Sequence, residues 1–177
     1  RVHGQRYGSL LPSPWRGNRM ILYHGSYVDI HEIDLAKSLR GKDFGQGFYL
    51  SADEKQAEEM AIFKAKQFDG TPVISAFEFD ETVLNDGSLK VKLFTGYSLE
   101  WAEFVFANRT NMADTPLHDY DIIYGPIADD RVGVQIRNLI EKNITLEVFL
   151  ERLQYIKGIT FQYYFGTTRA INLLKRL

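Results

Sequence analysis

An α+β fold is predicted for this chain by three features. Strand-like and helix-like segments follow one another without strict alternation, the strand-like runs are short and bounded by glycine, proline or Asn-Asp-Gly, and no repeat organises them. At 177 residues, 45% hydrophobic and 14% aromatic, the chain supplies one ordinary core, so a single domain is expected.

The elements are read in order. Met20 to His24 is a continuous apolar run stopped by Gly25, which fits a short buried strand leading into a polar turn. Ser51 and Glu54 have capping-box spacing, so a helix is expected from there to about Gln67, with Ala57, Met60, Ala61 and Ala65 as its apolar face. Pro72 to Phe79 and Leu89 to Phe94 read as strands, with Asn85-Asp86-Gly87 as the turn between them. Ser98 caps a helix that places Trp101, Val105 and Asn108 on one side, with Phe104 close by. A loop over 110–119 precedes a strand from Tyr120 to Tyr124, stopped by Gly125-Pro126. Asp130 to Lys142 is helical in pattern, and Thr145 caps a further helix carrying Phe149, Leu153 and Ile156. Phe161 to Phe165 is the last strand, and Thr168 to Leu177 is expected to close the chain as a short helix.

Composition narrows the chemistry. With no cysteine there is no disulfide, thiolate metal site or cysteine nucleophile. The four histidines, His3, His24, His31 and His118, lack metal-binding spacing, so no metal is expected. No apolar run reaches the roughly 18 to 20 residues that span a bilayer, and no signal peptide is recognisable, so a cytoplasmic protein without a membrane partner is expected. Residues 1–19 carry Arg1, Arg6, Arg16 and Arg19 and no acid, together with Pro12 and Pro14 and no periodicity. They read as a leader or foreign arm before a single domain over 20–177, the rival being a basic arm that contacts a partner or RNA. The rest of the chain is acidic, which argues against general duplex binding.

Two segments stand out: Leu22-Tyr23-His24-Gly25-Ser26, and Asp43-Phe44-Gly45-Gln46-Gly47-Phe48-Tyr49-Leu50-Ser51. The second sets glycines beside an aromatic strand immediately before a helix, which suits close backbone packing against a flat ligand. With Trp101 to Arg109, Tyr120 to Asp130 and Phe161 to Thr167, in this order, the chain resembles an uncharacterised bacterial family of the ADP-ribosyltransferase superfamily, in the branch that uses His and Tyr. The resemblance implies a split, mostly antiparallel two-sheet core with flanking helices. It implies NAD as substrate, release of nicotinamide, transfer of ADP-ribose to a protein or nucleic-acid acceptor, and a small antitoxin-like partner.

Residue by residue, the resemblance places His24 on a ribose hydroxyl, Gly25 on the carboxamide and Tyr49 against the nicotinamide ring. Ser26, Gly47, Phe48 and Arg40 complete the binding set. Imidazole donates or accepts toward a hydroxyl without charging, and an aromatic face attracts a pyridinium cation. Against these stand plainer readings of His24 as a core histidine and Tyr49 as a core tyrosine. The second aromatic of the ring sandwich has no match, Phe63 being the substitute at hand. The superfamily's glutamate is matched by Gln162, which orients ribose but cannot act as a base. Glu103, Asp129 and Asp130 are candidates for an acid supplied from elsewhere, and Arg40, Lys42 and Arg109 are candidates for the pyrophosphate. The alternatives to transfer are NAD hydrolysis and a non-catalytic NAD or ADP-ribose binding module.

Overall fold

The computed structural model of the protein describes residues 18–156 and 158–177, so the arm expected over 1–19 lies outside the described residues except for Asn18 and Arg19. Among the described residues, two sheets and five α-helices form a mixed α+β domain with no closed barrel. Strands β1 (Arg19–Ser26), β3 (Val73–Asp80) and β7 (Lys175–Arg176) make an antiparallel sheet in the order β1-β3-β7. Strands β2 (Phe48–Leu50), β6 (Phe161–Phe165), β5 (Ile122–Pro126) and β4 (Val91–Leu93) make the second, antiparallel except for the parallel β4–β5 pair. The sheets meet where Tyr23 and Ser51 exchange two backbone hydrogen bonds, of 2.7 and 2.8 Å.

Strand alternation sorts the side chains into two cores. Phe48, Leu50, Ile122, Tyr163 and Phe165 face the first sheet and pack on Leu22, Phe77 and Phe79. Ile123 and Tyr164 face the other way, toward α2 (Leu99–Thr110), α3 (Asp130–Ile140) and α4 (Leu146–Gln154), with Trp101, Val105, Val132, Ile136, Phe149 and Leu153 filling the space between. The four-stranded sheet is therefore the middle layer. Helix α1 (Glu54–Gln67) lies against β1 through Ala57, Ala61 and Ala65. Alanine permits an unusually close approach here, for a Cβ on Gly25 would stand 1.9 Å from the Ala57 carbonyl oxygen. No helix among the described residues is long and apolar enough to cross a membrane.

Several expectations are corrected. Strand β1 opens at Arg19 and runs through Ser26, so Ser26 ends a strand and does not begin a turn. Asp53, not Ser51, caps α1, because the Ser51 backbone is committed to the bridge with Tyr23 while its hydroxyl accepts from the Asp53 N–H. Asn85-Asp86-Gly87 does not join a hairpin: a 3₁₀ turn at Glu81–Leu84 leads the chain from one sheet to the other, where β4 pairs with β5. Gly125 and Pro126 belong to β5, where proline sits at the strand's last position, and a Cβ added at Gly125 would stand 3.0 to 3.2 Å from Phe44 and Phe94, so a larger residue would have to displace those rings. At the C-terminus only α5 (Thr168–Ile171) is helical, and the chain then returns as β7 to cover the edge of β3.

Candidate functional site

The Tyr23–Ser51 bridge brings the two outstanding sequence segments side by side. Beside it lies a cleft of about 50 Å³ to which β1 contributes Gly25, β2 Tyr49, α1 Gln56 and Met60, and β6 Gln162. A larger groove of about 750 Å³ lies between 31–37 and the α5–β7 end, and none of the predicted site residues lines it.

His24 stacks on Phe48, with ring centroids 4.3 Å apart, and its Nδ1 lies 2.7 Å from the Tyr49 carbonyl oxygen. A carbonyl only accepts, so Nδ1 carries the proton and Nε2 is a bare acceptor. Burial, assisted by the charges of Lys64 and Lys42, pushes the imidazole pKa down to about 3, against the weaker opposing effect of the Tyr49 carbonyl. The ring is neutral near pH 7. Nε2 has no partner, and since no buried side-chain polar atom of the described residues lacks one, Nε2 reaches solvent.

Tyr49 is fixed at both ends of its ring. Its hydroxyl donates to the Gly45 carbonyl (2.6 Å) and accepts from the Phe44 N–H (2.9 Å), while Tyr164 meets the ring edge-on at 5.4 Å. Burial, then the Asp43 charge, raises the phenol well above its ordinary range, so it stays protonated. The Lys42 ammonium lies 5.2 Å from the ring centroid, within the range of cation–π attraction.

Gln162 is buried, and its Nε2 donates to Asp43 Oδ2 at 2.9 Å. A carboxylate demands a donor, so this contact sets which way the amide is turned. Oε1 is left without a protein partner and is an acceptor for the cleft. Asp43 is in turn saturated, with Oδ1 accepting from Arg109 Nε (2.7 Å) and Oδ2 from the Ala128 N–H (2.9 Å). Arg109 also donates to the Ala128 carbonyl.

The remaining predicted residues are placed as follows. Ser26 is buried at the end of β1. Gly47 packs under Tyr164, whose ring would lie 2.1 Å from an added Cβ, and Phe48 belongs to the core between the sheets. Gly25 owes its lack of side chain to α1, and its carbonyl accepts from Lys64 Nζ at 3.1 Å. Arg40 lies apart from the cleft, donating to the Met112 carbonyl and pairing with Asp114. Phe63 is exposed and does not line the cleft, where α1 presents Met60 instead. Glu103 and Asp130 are exposed, and Asp129 caps α3.

Two contributors escaped the sequence reading. Asp43 stood in the quoted segment as its only acid, among glycines and aromatics, which was a signal. Lys64 falls at helical spacing from Ala57 and Ala61, on a face otherwise made of alanine. Its ammonium is only partly exposed, and burial together with Lys42 lowers its pKa to about 8. Burial lowers Lys42 as well, with Asp43 opposing. Among the described residues no group of three or more His, Asp or Glu side chains is placed to hold a metal ion.

Fold and cleft together define a two-sheet α+β domain in which the buried Gln162 lines an opening beside the junction of the sheets. Residues 20–176 match the model of a family described as a protein of unknown function, DUF3990, and the chain belongs to that family. No curated protein and no solved structure matches it significantly.

Proposed function

We propose that the protein is an NAD-dependent ADP-ribosyltransferase that uses the cleft beside Tyr49 as its nicotinamide pocket. The observation that carries this reading is the convergence, in one opening, of a fixed aromatic ring (Tyr49) and an oriented amide oxygen (Gln162), with a neutral acceptor imidazole (His24) hydrogen-bonded to the Tyr49 backbone. These groups suit the ligand. An acceptor-only Nε2 and an acceptor Oε1 take hydrogen bonds from ribose hydroxyls, and the tyrosine face attracts a cationic ring. Buried, preset acceptors favour a ribose that gains positive charge as nicotinamide departs.

In the transfer, the bond from C1'' of the ribose to the nicotinamide nitrogen breaks, and its electron pair neutralises the pyridinium. A bond forms from C1'' to an acceptor heteroatom, whose proton passes to solvent. NAD supplies the activated bond, and this chain's residues orient the ribose and hold the ring.

One observation favours a second reading, a binding module without chemistry. Among the described residues the carboxylate bound to the amide, Asp43, is saturated by Arg109, Ala128 and Gln162, and no acid is among those lining the cleft.

Nicotinamide release from NAD by the purified protein separates the two. Transfer predicts release that falls on Tyr49→Ala, about 3- to 30-fold in NAD affinity from the lost ring contact, and at least about tenfold in turnover on Gln162→Ala. NAD binding without release in the presence of whole-cell lysate supports the module. Labelled NAD, followed into separate protein and nucleic-acid fractions, identifies the acceptor class, and label in neither fraction despite release indicates hydrolysis.

A further inference from the structure

We propose that Lys42 and Lys64 form a cradle beside the cleft for the phosphate groups of a nucleotide ligand. The proposal deepens the reading above and rests on it for the identity of the nucleotide, but its evidence is separate.

Neither lysine takes part in an ion pair among the described residues. The carboxylate next to Lys42, Asp43, is fully engaged by Arg109, Ala128 and Gln162. Lys64 has only the Gly25 carbonyl, and Lys42 has only the face of Tyr49. Both side chains are partly buried, and both act on the charge of the same imidazole, His24. Asp43 opposes the burial of Lys42 but is already committed to Arg109, and a fold gains little by drawing two ammonium groups out of water with no counterion of their own. Other lysines are differently placed: Lys90 pairs with Asp119 and Lys92 with Glu100, while Lys37, Lys55, Lys66 and Lys142, which have no ion pair among the described residues, are exposed to water.

The uncompensated charge is explained if an anion completes the site. Its position fits, for Lys64 bonds to Gly25 and Lys42 overlies Tyr49, both of which line the cleft. A ligand with its ring at Tyr49 would carry its phosphates past both lysines. Phosphoryl oxygens suit ammonium groups, which bind them as point charges without a fixed angle.

The test measures binding of inorganic pyrophosphate and ADP-ribose by calorimetry to the wild-type chain and to Lys42→Gln, Lys64→Gln and Lys64→Arg, with adenosine and a short single-stranded oligonucleotide as comparators. Each Gln variant is expected to weaken both phosphate ligands about tenfold and to reduce the salt dependence of binding, while Lys64→Arg retains most of the affinity. The melting temperature of the ligand-free Gln variants stays the same or rises, whereas a merely structural lysine would lower it. Affinities within twofold of wild type in both Gln variants would overturn the cradle. Binding of the oligonucleotide in preference to ADP-ribose would overturn the nucleotide assignment. Lysine-dependent pyrophosphate binding without nicotinamide release would leave the cradle standing and remove the transfer reading.

Discussion

Asp43 and Asp121 brace the four-stranded sheet with the same set of partners, but to different ends. Each is a buried carboxylate held by an arginine, a backbone N–H and one side-chain donor: Arg109, Ala128 and Gln162 at Asp43; Arg169, Lys90 and Thr167 at Asp121. At Asp121 the arginine side chain is 62% exposed, and Thr167 goes on to cap α5, so the network ends in structure. At Asp43 the arginine is 30% exposed and bound again to the Ala128 carbonyl, while Gln162 carries the network on to an unpartnered oxygen at the cleft. One carboxylate ties two segments. The other ties three and also aims a functional group.

The largest test of that difference is truncation of the two acids. Asp43→Ala leaves the Ala128 N–H, the Gln162 amide and the half-buried Arg109 without their acceptor, and is expected to cost about 3 to 5 kcal/mol. Asp121→Ala is expected to cost less, because Arg169 already faces water and rehydrates. Urea unfolding of the two variants checks the order. Equal losses would mean that exposure of the arginine does not decide the cost.

A second test concerns the cleft, where His24 is held neutral. Its pKa in the fold, about 3, is below the ordinary value of 6.5, so between those limits the unfolded chain binds the extra proton. Stability is then fully present above about pH 6.5 and declines as pH falls toward 3. From pH 7 to pH 5 the loss is about 2 kcal/mol. In His24→Gln this part of the acid limb disappears, which stability measured across the pH range detects. A slope unchanged by the substitution would show that the imidazole is not the group being protonated.

The sequence disclosed elements whose signals are local. Ser98 and Thr145 cap their helices as expected, and the alternation of β6 sends Gln162 and Tyr164 to the face opposite Tyr163 and Phe165. It misled where partners are distant. Nothing in Asn85-Asp86-Gly87 says that the strands around it belong to different sheets, because pairing of β4 with β5 is settled by the packing of both. Within the cleft, Gly25, Tyr49 and Gln162 were recognisable as segments, and the Tyr23–Ser51 bridge joins two of them. The basic residues were not separable by type. Arg40 finds Asp114, Arg109 finds Asp43, and only Lys42 of the three is left unpaired. Charge compensation is a tertiary property, and so Lys64, on an alanine face, came to light only with its surroundings.

The smallest expected effect comes from removing the charge at Asp121 while keeping its shape. The guanidinium of Arg169, then the Thr167 hydroxyl and the Lys90 N–H, hold this carboxyl down to about 2, against the opposing effect of burial. A depressed carboxyl contributes stability above its unfolded pKa, near 4, and loses it as pH falls through about 2. Asp121→Asn keeps an acceptor for the Lys90 N–H but gives up the ionic bonds to Arg169, and should cost about 1 to 2 kcal/mol near neutrality. It should leave ligand binding at the cleft unchanged, since no partner of Asp121 lines that opening. Asp43→Asn, by contrast, lets the Gln162 amide turn over and present nitrogen to the cleft, so its effect on ADP-ribose affinity should exceed that of Asp121→Asn. If the two asparagine variants bind the ligand equally well, Asp43 is a staple like Asp121, and the orientation of Gln162 does not depend on it.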